Sequence, residues 1–122
     1  MKKILIIDDE PAIAGLISEF CSMFGFETRV LNSGAGALEE VRSYQPDLIT
    51  LDLVMPEISG VEVLKILKKN EDTQSIPVLI ISSLGDFHDV RKIVEQCQGI
   101  LEKPIRANSL KSKIEMALPL LH

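Results

Sequence analysis

The sequence predicts an α/β fold: one doubly wound domain over residues 1–122, with a five-stranded parallel sheet carrying helices on both faces. Two observations predict it. Short apolar runs alternate with longer segments of helical period five times along the chain, the pattern of repeated βα units. The apolar runs are also continuous rather than alternating, as expected of strands covered on both faces. At 122 residues the chain is long enough to bury a core without disulfide or metal staples, and no linker or low-complexity stretch divides it.

Each element follows from local chemistry. Lys3 to Ile7 is the first apolar run. Pro11 suits the first turn of a helix, where a missing N–H is no loss. Ile13, Leu16, Ile17, Phe20 and Phe24 then form one helical stripe, and Gly25 ends it as a C′ residue. Glu27 to Leu31 is a shorter, more polar run of the kind found near a sheet edge. Asn32-Ser33-Gly34 punctuates it and offers a cap, and Ala37, Leu38, Val41 and Tyr44 mark the second helix. After Pro46, a third run spans Asp47 to Leu51 and leads into Asp52, with a loop from Leu53 to Gly60.

Val61, Leu64 and Leu67 define a third helix that ends before Asn70-Glu71-Asp72. Ile76 to Ile81 is the most strand-like stretch and closes at Ser82-Ser83. Phe87, Val90, Ile93, Val94 and Cys97 give a fourth helical face, stopped by Gly99. Ile100 to Glu102 is a brief fifth strand, and Leu110, Ile114, Ala117 and Leu121 supply the last helix.

Composition narrows the function classes. The net charge of −5 argues against a nucleic-acid surface, which needs clustered Lys and Arg. Lys65, Lys68 and Lys69, and again Lys111 and Lys113, sit at helical spacing beside apolar positions and read as solvated faces. No apolar run approaches the roughly 20 residues of a membrane span. The run after Met1-Lys2-Lys3 stops at Asp8, too soon for a secretory signal. A cytoplasmic location without membrane insertion is expected. Cys21 and Cys97 lie in apolar-periodic segments without CxxC spacing and read as core or boundary residues in a reducing compartment. His88, Met55, Phe20, Phe24 and Phe26 read as structural.

In open parallel sheets, ligands collect beyond the carboxyl ends of the strands. Strand one ends in Asp8-Asp9-Glu10, strand three in Asp52, strand four in Ser82-Ser83 and strand five in Glu102-Lys103. Each has a plain structural explanation taken alone: acids favour helix N-termini, Asp opens turns, and a lysine before proline is ordinarily solvated. If strands one, three, four and five are neighbours, these groups share one mouth; periodicity does not fix that order. Converging carboxylates repel unless a cation is present, and an oxygen-only set suits Mg²⁺. A carboxylate nucleophile, a divalent cation, the Lys103 ammonium and the Ser82 hydroxyl together are what phosphoryl transfer onto an aspartate requires.

Four pieces occur in order: Lys3 through Asp8-Asp9-Glu10-Pro11; Pro46-Asp47 through Asp52, with Pro56 and Gly60; Pro77 through Ser82-Ser83; and Lys103-Pro104. The chain thereby resembles, end to end, the receiver domain of bacterial two-component response regulators of the chemotaxis-regulator-like kind. The resemblance implies a flavodoxin-like sheet of strand order 2-1-3-4-5. It implies Asp52 as phospho-acceptor, with Asp8, Asp9, Asp52 and the backbone carbonyl of Val54 as Mg²⁺ ligands. It implies Ser82 as the switch hydroxyl, Lys103 as the phosphate-contacting lysine and a cis Lys103–Pro104 bond. Its donor would be a sensor histidine kinase or phosphotransfer protein, and the chain would be no turnover enzyme, catalysing only its own phosphorylation and dephosphorylation. A downstream protein target or a missing output domain would read the state from the face of the fourth predicted helix, fifth strand and last helix, with a phosphorylation-dependent homodimer as an open alternative.

Two departures from the family pattern stand out. Ile100 occupies the position where relatives carry a switching Tyr or Phe, and Gln96-Cys97-Gln98-Gly99 replaces the usual Ala-Gly-Ala turn, so a slightly shortened connection before strand five is expected. The alternative function is a non-phosphorylated pseudo-receiver, but such modules usually lose an acid or the lysine, and Asp8, Asp9, Asp52 and Lys103 are all present. A dehalogenase-type phosphohydrolase is disfavoured by the Asp8-Asp9 order and the lack of a cap-domain insertion. A flavin or nucleotide binder would need a glycine-rich loop after strand one.

Overall fold

The computed structural model describes residues 1–83, 95 and 97–118. Among them, five strands form one parallel sheet: β1 (Lys3–Ile7), β2 (Glu27–Leu31), β3 (Leu48–Leu51), β4 (Val78–Ser82) and β5 (Gly99–Glu102), in spatial order β2-β1-β3-β4-β5. Four helices accompany them: α1 (Pro11–Met23), α2 (Ala37–Tyr44), α3 (Gly60–Lys69) and α4 (Ala107–Ala117). The fourth predicted helical face, apart from Cys97, and Leu121 of the last stripe lie outside the described residues, as does His88.

The strand order follows from where the chain reverses direction across the sheet. From β1 it steps outward to β2, then returns past β1 to β3 and continues to β4 and β5. Because crossovers between parallel strands are right-handed, this reversal places α1 on one face and α2 and α3 on the other. The core divides accordingly. Ile4, Ile6, Leu48, Leu79 and Ile81 pack with Ala14, Ile17 and Cys21 of α1 and Leu110 and Ile114 of α4. Leu5, Ile7, Ile49, Leu51, Val78 and Ile80 pack with Val41 and Tyr44 of α2 and Val63, Leu64 and Leu67 of α3. Alternate residues of each central strand thus serve opposite cores, which is why their runs are apolar throughout. Each buried Leu or Ile stabilises the fold by roughly 1.5–3 kcal/mol relative to exposure.

Several boundaries depart from the sequence expectation, each for a local reason. β3 begins at Leu48; Asp47 just before it donates its N–H to the Lys3 carbonyl and accepts from the Lys3 N–H with its side chain, both at 2.8 Å. β4 begins at Val78, since Pro77 has no N–H for the ladder. Gly99 does not stop a helix but starts β5 opposite Leu79; a Cβ there would lie 3.2 Å from the Leu79 Cδ1. Just before it, the Gln98 side chain accepts from the Val78 N–H at 3.0 Å. Asn32-Ser33-Gly34 supplies no side-chain cap to α2, whose N-cap is Gly36 at φ 77°. α3 begins at Gly60, capped by the Ser59 hydroxyl, which accepts from the Glu62 N–H. Lys68 is not a solvated lysine: half-buried, its ammonium donates to the carbonyls of Gln74 and Ile76 at 3.0 and 3.1 Å. Cys21 is buried in the α1 core and Cys97 is partly buried, both as free thiols. Phe20, Phe24 and Phe26 border the α1 core, while Met55 is buried on the opposite side of the sheet. No helix among the described residues is long and apolar enough to cross a membrane.

Candidate functional site

The ladder runs one residue past three strands, and this positions the site. The Asp8 N–H donates to the Leu31 carbonyl, the Asp52 N–H to the Ile7 carbonyl and the Lys103 N–H to the Ser82 carbonyl, at 3.1, 3.0 and 2.9 Å. Residues that are polar only because the strand has ended are therefore held with strand-like rigidity. Asp8, Asp52 and Ser82 are all buried.

Asp52 lies at the centre. Its Oδ1 accepts from the Ser82 hydroxyl at 3.0 Å and from the Val54 N–H at 3.4 Å. Its Oδ2 is 3.5 Å from the Lys103 ammonium, which also reaches Asp8 Oδ2 at 3.3 Å and Glu10 Oε1 at 3.4 Å. Asp8 Oδ1 accepts from the Glu10 N–H at 2.9 Å, and the Asp8 carbonyl accepts from the Asn32 side chain at 2.9 Å. The Lys103–Pro104 peptide bond is cis. Asp9, Glu10, Asp52, Val54, Ser83 and Lys103 line an open cleft of about 310 Å³.

Electrostatically the site is over-supplied with negative charge. Burial pushes the Asp8 carboxyl above the usual carboxylate range; the Glu10 N–H and Lys103 oppose this, nearby Asp52 reinforces it, and burial prevails. Burial would lower the Lys103 ammonium, but attraction to Asp8 and Asp52 outweighs it and raises the group overall. One oxygen from each of Asp8, Asp9, Glu10 and Asp52 lies within 4.8 Å of the others. Asp8 Oδ2, though close to Lys103, is buried without a well-aligned hydrogen bond. A buried carboxylate oxygen lacking such a donor, in an oxygen-only cluster, fits a hard divalent cation of the Mg²⁺ type.

Asp8, Asp9, Asp52, Ser82, Ser83 and Lys103, singled out at the strand ends, meet at this mouth, whereas Glu102 makes no contact there among the described residues and Ile100 lies apart. That side chain is half-buried against the core that contains Val78 and Ile80, beside Ile80 in the sheet. Sequence reasoning gave no separate role to two residues that shape the site. Glu10 reaches Lys103, and its signal was the third acid of the Asp8-Asp9-Glu10 run. Gly60 lies so close to the end of β3 that a Cβ would sit 2.0 Å from the Asp52 carbonyl oxygen. Only its glycine identity, eight residues after Asp52, hinted at that approach.

Known proteins share this fold and sequence pattern. The family model described as "Response regulator receiver domain" matches residues 4–115. The chain is 34% identical over 119 residues to the DNA-binding dual master transcriptional regulator RpaA of Synechocystis sp., covering 97% of this chain but 49% of that protein; it spans about half that relative's length. It is 34% identical over 105 residues to the polar-differentiation response regulator DivK of Brucella ovis, covering 85% of each. The crystal structure of a response regulator receiver domain protein from Clostridium thermocellum superposes with a TM-score of 0.86 at 29% identity, covering 96% of this chain and 94% of that one.

Proposed function

The chain belongs to the response regulator receiver domain family, whose members are signalling switches rather than classical enzymes, and we propose that it is a phospho-acceptor switch with Asp52 as the acceptor. The observation that carries the reading is the placement of Asp52, with one oxygen on the Ser82 hydroxyl and the other beside the Lys103 ammonium. The donor is a phosphohistidine on a sensor histidine kinase or phosphotransfer protein. Residues 1–122 act as one cytoplasmic receiver domain, read by a separate protein target or by an output domain.

Asp8, Asp9, Asp52 and the Val54 carbonyl would hold Mg²⁺. When bound, the ion neutralises charge on the phosphoryl oxygens. The chain's own groups do the rest. The Asp52 carboxylate is held in place by Ser82 and the Val54 N–H and presents an oxygen to phosphorus. Lys103, kept charged by its carboxylate neighbours, attracts the transferring group. Phosphorylation adds about −1.5 to −2 charges and three acceptor oxygens. The Ser82 hydroxyl then exchanges its carboxylate partner for a phosphoryl oxygen; the stretch after Ser83 lies outside the described residues. Ile100 lacks the aromatic ring whose swing reports this change in relatives, so Ser82 carries the signal to the β5 side of the sheet.

Intact-mass measurement after incubation with a small acyl-phosphate donor tests the assignment. A single phosphoryl adduct that needs Mg²⁺ and is absent from Asp52→Asn is expected. Binding of Mg²⁺ without any adduct on the wild type would favour a non-phosphorylated pseudo-receiver instead.

A further inference from the structure

We propose that Glu10 determines donor specificity: its carboxylate, held against Lys103 at the lip of the cleft, disfavours small free phosphodonors relative to a phosphoryl group delivered by a docked protein. This inference rests on the phospho-acceptor reading of Asp52. Lys103 contacts three carboxylates, and they are not equivalent. The side chains of Asp8 and Asp52 are 2% and 4% exposed, whereas that of Glu10 is 59% exposed. The Glu10 backbone is nevertheless fixed, because its N–H donates to Asp8 and it forms the N-cap of α1. Glu10 therefore combines an anchored backbone with a carboxylate that is free to leave.

That combination has a consequence for any group arriving at Asp52. In the transfer, an Asp52 carboxylate oxygen forms a bond to phosphorus while the donor's own bond to phosphorus breaks. The leaving group departs with the electron pair, as acetate when the donor is acetyl phosphate. During this exchange Lys103 must turn from a carboxylate to the phosphoryl oxygens. Asp8 and Asp52 are buried in place, so the Glu10 contact is the one that yields. Until it does, Glu10 both occupies the ammonium and adds negative charge to the path of an anionic donor, in a cleft that focuses the field. A small dianion meets this repulsion unaided. A protein donor offsets it with contacts made elsewhere on the surface.

The test measures initial rates of phosphoryl uptake by intact mass for wild type, Glu10→Gln and Glu10→Asp at saturating Mg²⁺. The donors are acetyl phosphate and the less negatively charged phosphoramidate. Glu10→Gln is expected to react about threefold to tenfold faster with acetyl phosphate, as removal of one charge from a partly solvated path allows. The gain is expected to be smaller with phosphoramidate and to shrink at high salt, while Glu10→Asp, which keeps the charge, gains less than Glu10→Gln. An unchanged or slower Glu10→Gln overturns the proposal, as does an equal gain with both donors at every ionic strength, which a loosened structure alone would produce. If neither the wild type nor Glu10→Gln takes up a phosphoryl group from either donor, the acceptor reading of Asp52 fails and this inference with it.

Discussion

At the amino end of the sheet, Lys2, Lys3 and Arg29 meet Asp47, Glu27 and Glu40 in equal number. Asp47 binds the Lys3 N–H at 2.8 Å and lies 3.8 Å from the Lys2 ammonium, and Arg29 donates to Glu40 at 2.8 Å. Tyr44 ties the group together: Arg29 sits 4.4 Å from its ring centroid, and its hydroxyl donates to Glu27 at 2.8 Å. Burial first, then Glu27, pushes that hydroxyl up to about 12. At the carboxyl end, four carboxylates crowd together and Lys103 pairs with three of them. The same residue types therefore do opposite work at the two ends. Matched charges hold the first end closed without a ligand, whereas unmatched charges leave the second with binding capacity in reserve.

Four measurements would break or sharpen this contrast. The largest effect is expected from Gly60→Ala, because no side chain moves aside for a clash with the Asp52 backbone carbonyl. Urea unfolding should show a loss of about 3 kcal/mol or more, with cation binding lost too if the protein still folds. Next, Mg²⁺ should stabilise the wild type by about 2.7 kcal/mol when present at a hundred times its dissociation constant. Asp8→Asn should abolish most of that gain, whereas Tyr44→Phe should keep it. A similar Mg²⁺ shift in Asp8→Asn would mean that the ion binds elsewhere.

Tyr44→Phe itself should cost about 1 kcal/mol, as expected for one lost hydrogen bond, without altering phosphoryl uptake. A change in uptake would show that the two ends are coupled. The smallest effect is expected at Thr50, midway between the ends, where a buried hydroxyl has no hydrogen-bond partner among the described residues. Thr50→Val keeps the shape and removes the unmet hydroxyl, so thermal melts should show a gain of about 0.5–1 kcal/mol with the site unaffected.

Much of the architecture was legible because each strand and helix imposes its own period on the side chains. β1, with Ile4 and Ile6 facing one core and Leu5 and Ile7 the other, had to be apolar throughout, and the α1 stripe had to recur every three or four residues. Gly25, at φ +95°, ends α1 for the conformational reason that marked it in the sequence. The ends of elements were less legible, because their limits depend on partners far along the chain. Asp47 binds Lys3 through both its N–H and its side chain at the edge of β3, and Gly99 pairs with Leu79, whose side chain a Cβ there would crowd. Lys68 looked solvated because nothing local reveals that the chain near Gln74 and Ile76 returns to its ammonium.

For the site, residue identity alone determined the inventory: Asp8, Asp9, Asp52, Ser82 and Lys103 are the polar residues that stop or follow apolar runs, and their chemistry follows from their functional groups. Only the tertiary structure decided that β3 lies between β1 and β4. That adjacency brings Ser82 within 3.0 Å of Asp52 and brings Lys103, across 93 residues of chain, within reach of Glu10. A local pattern records which groups must be buried or exposed. Distances between groups remote in sequence are set by strand order and by the close approach that Gly60 permits, and both arise only when the whole sheet assembles.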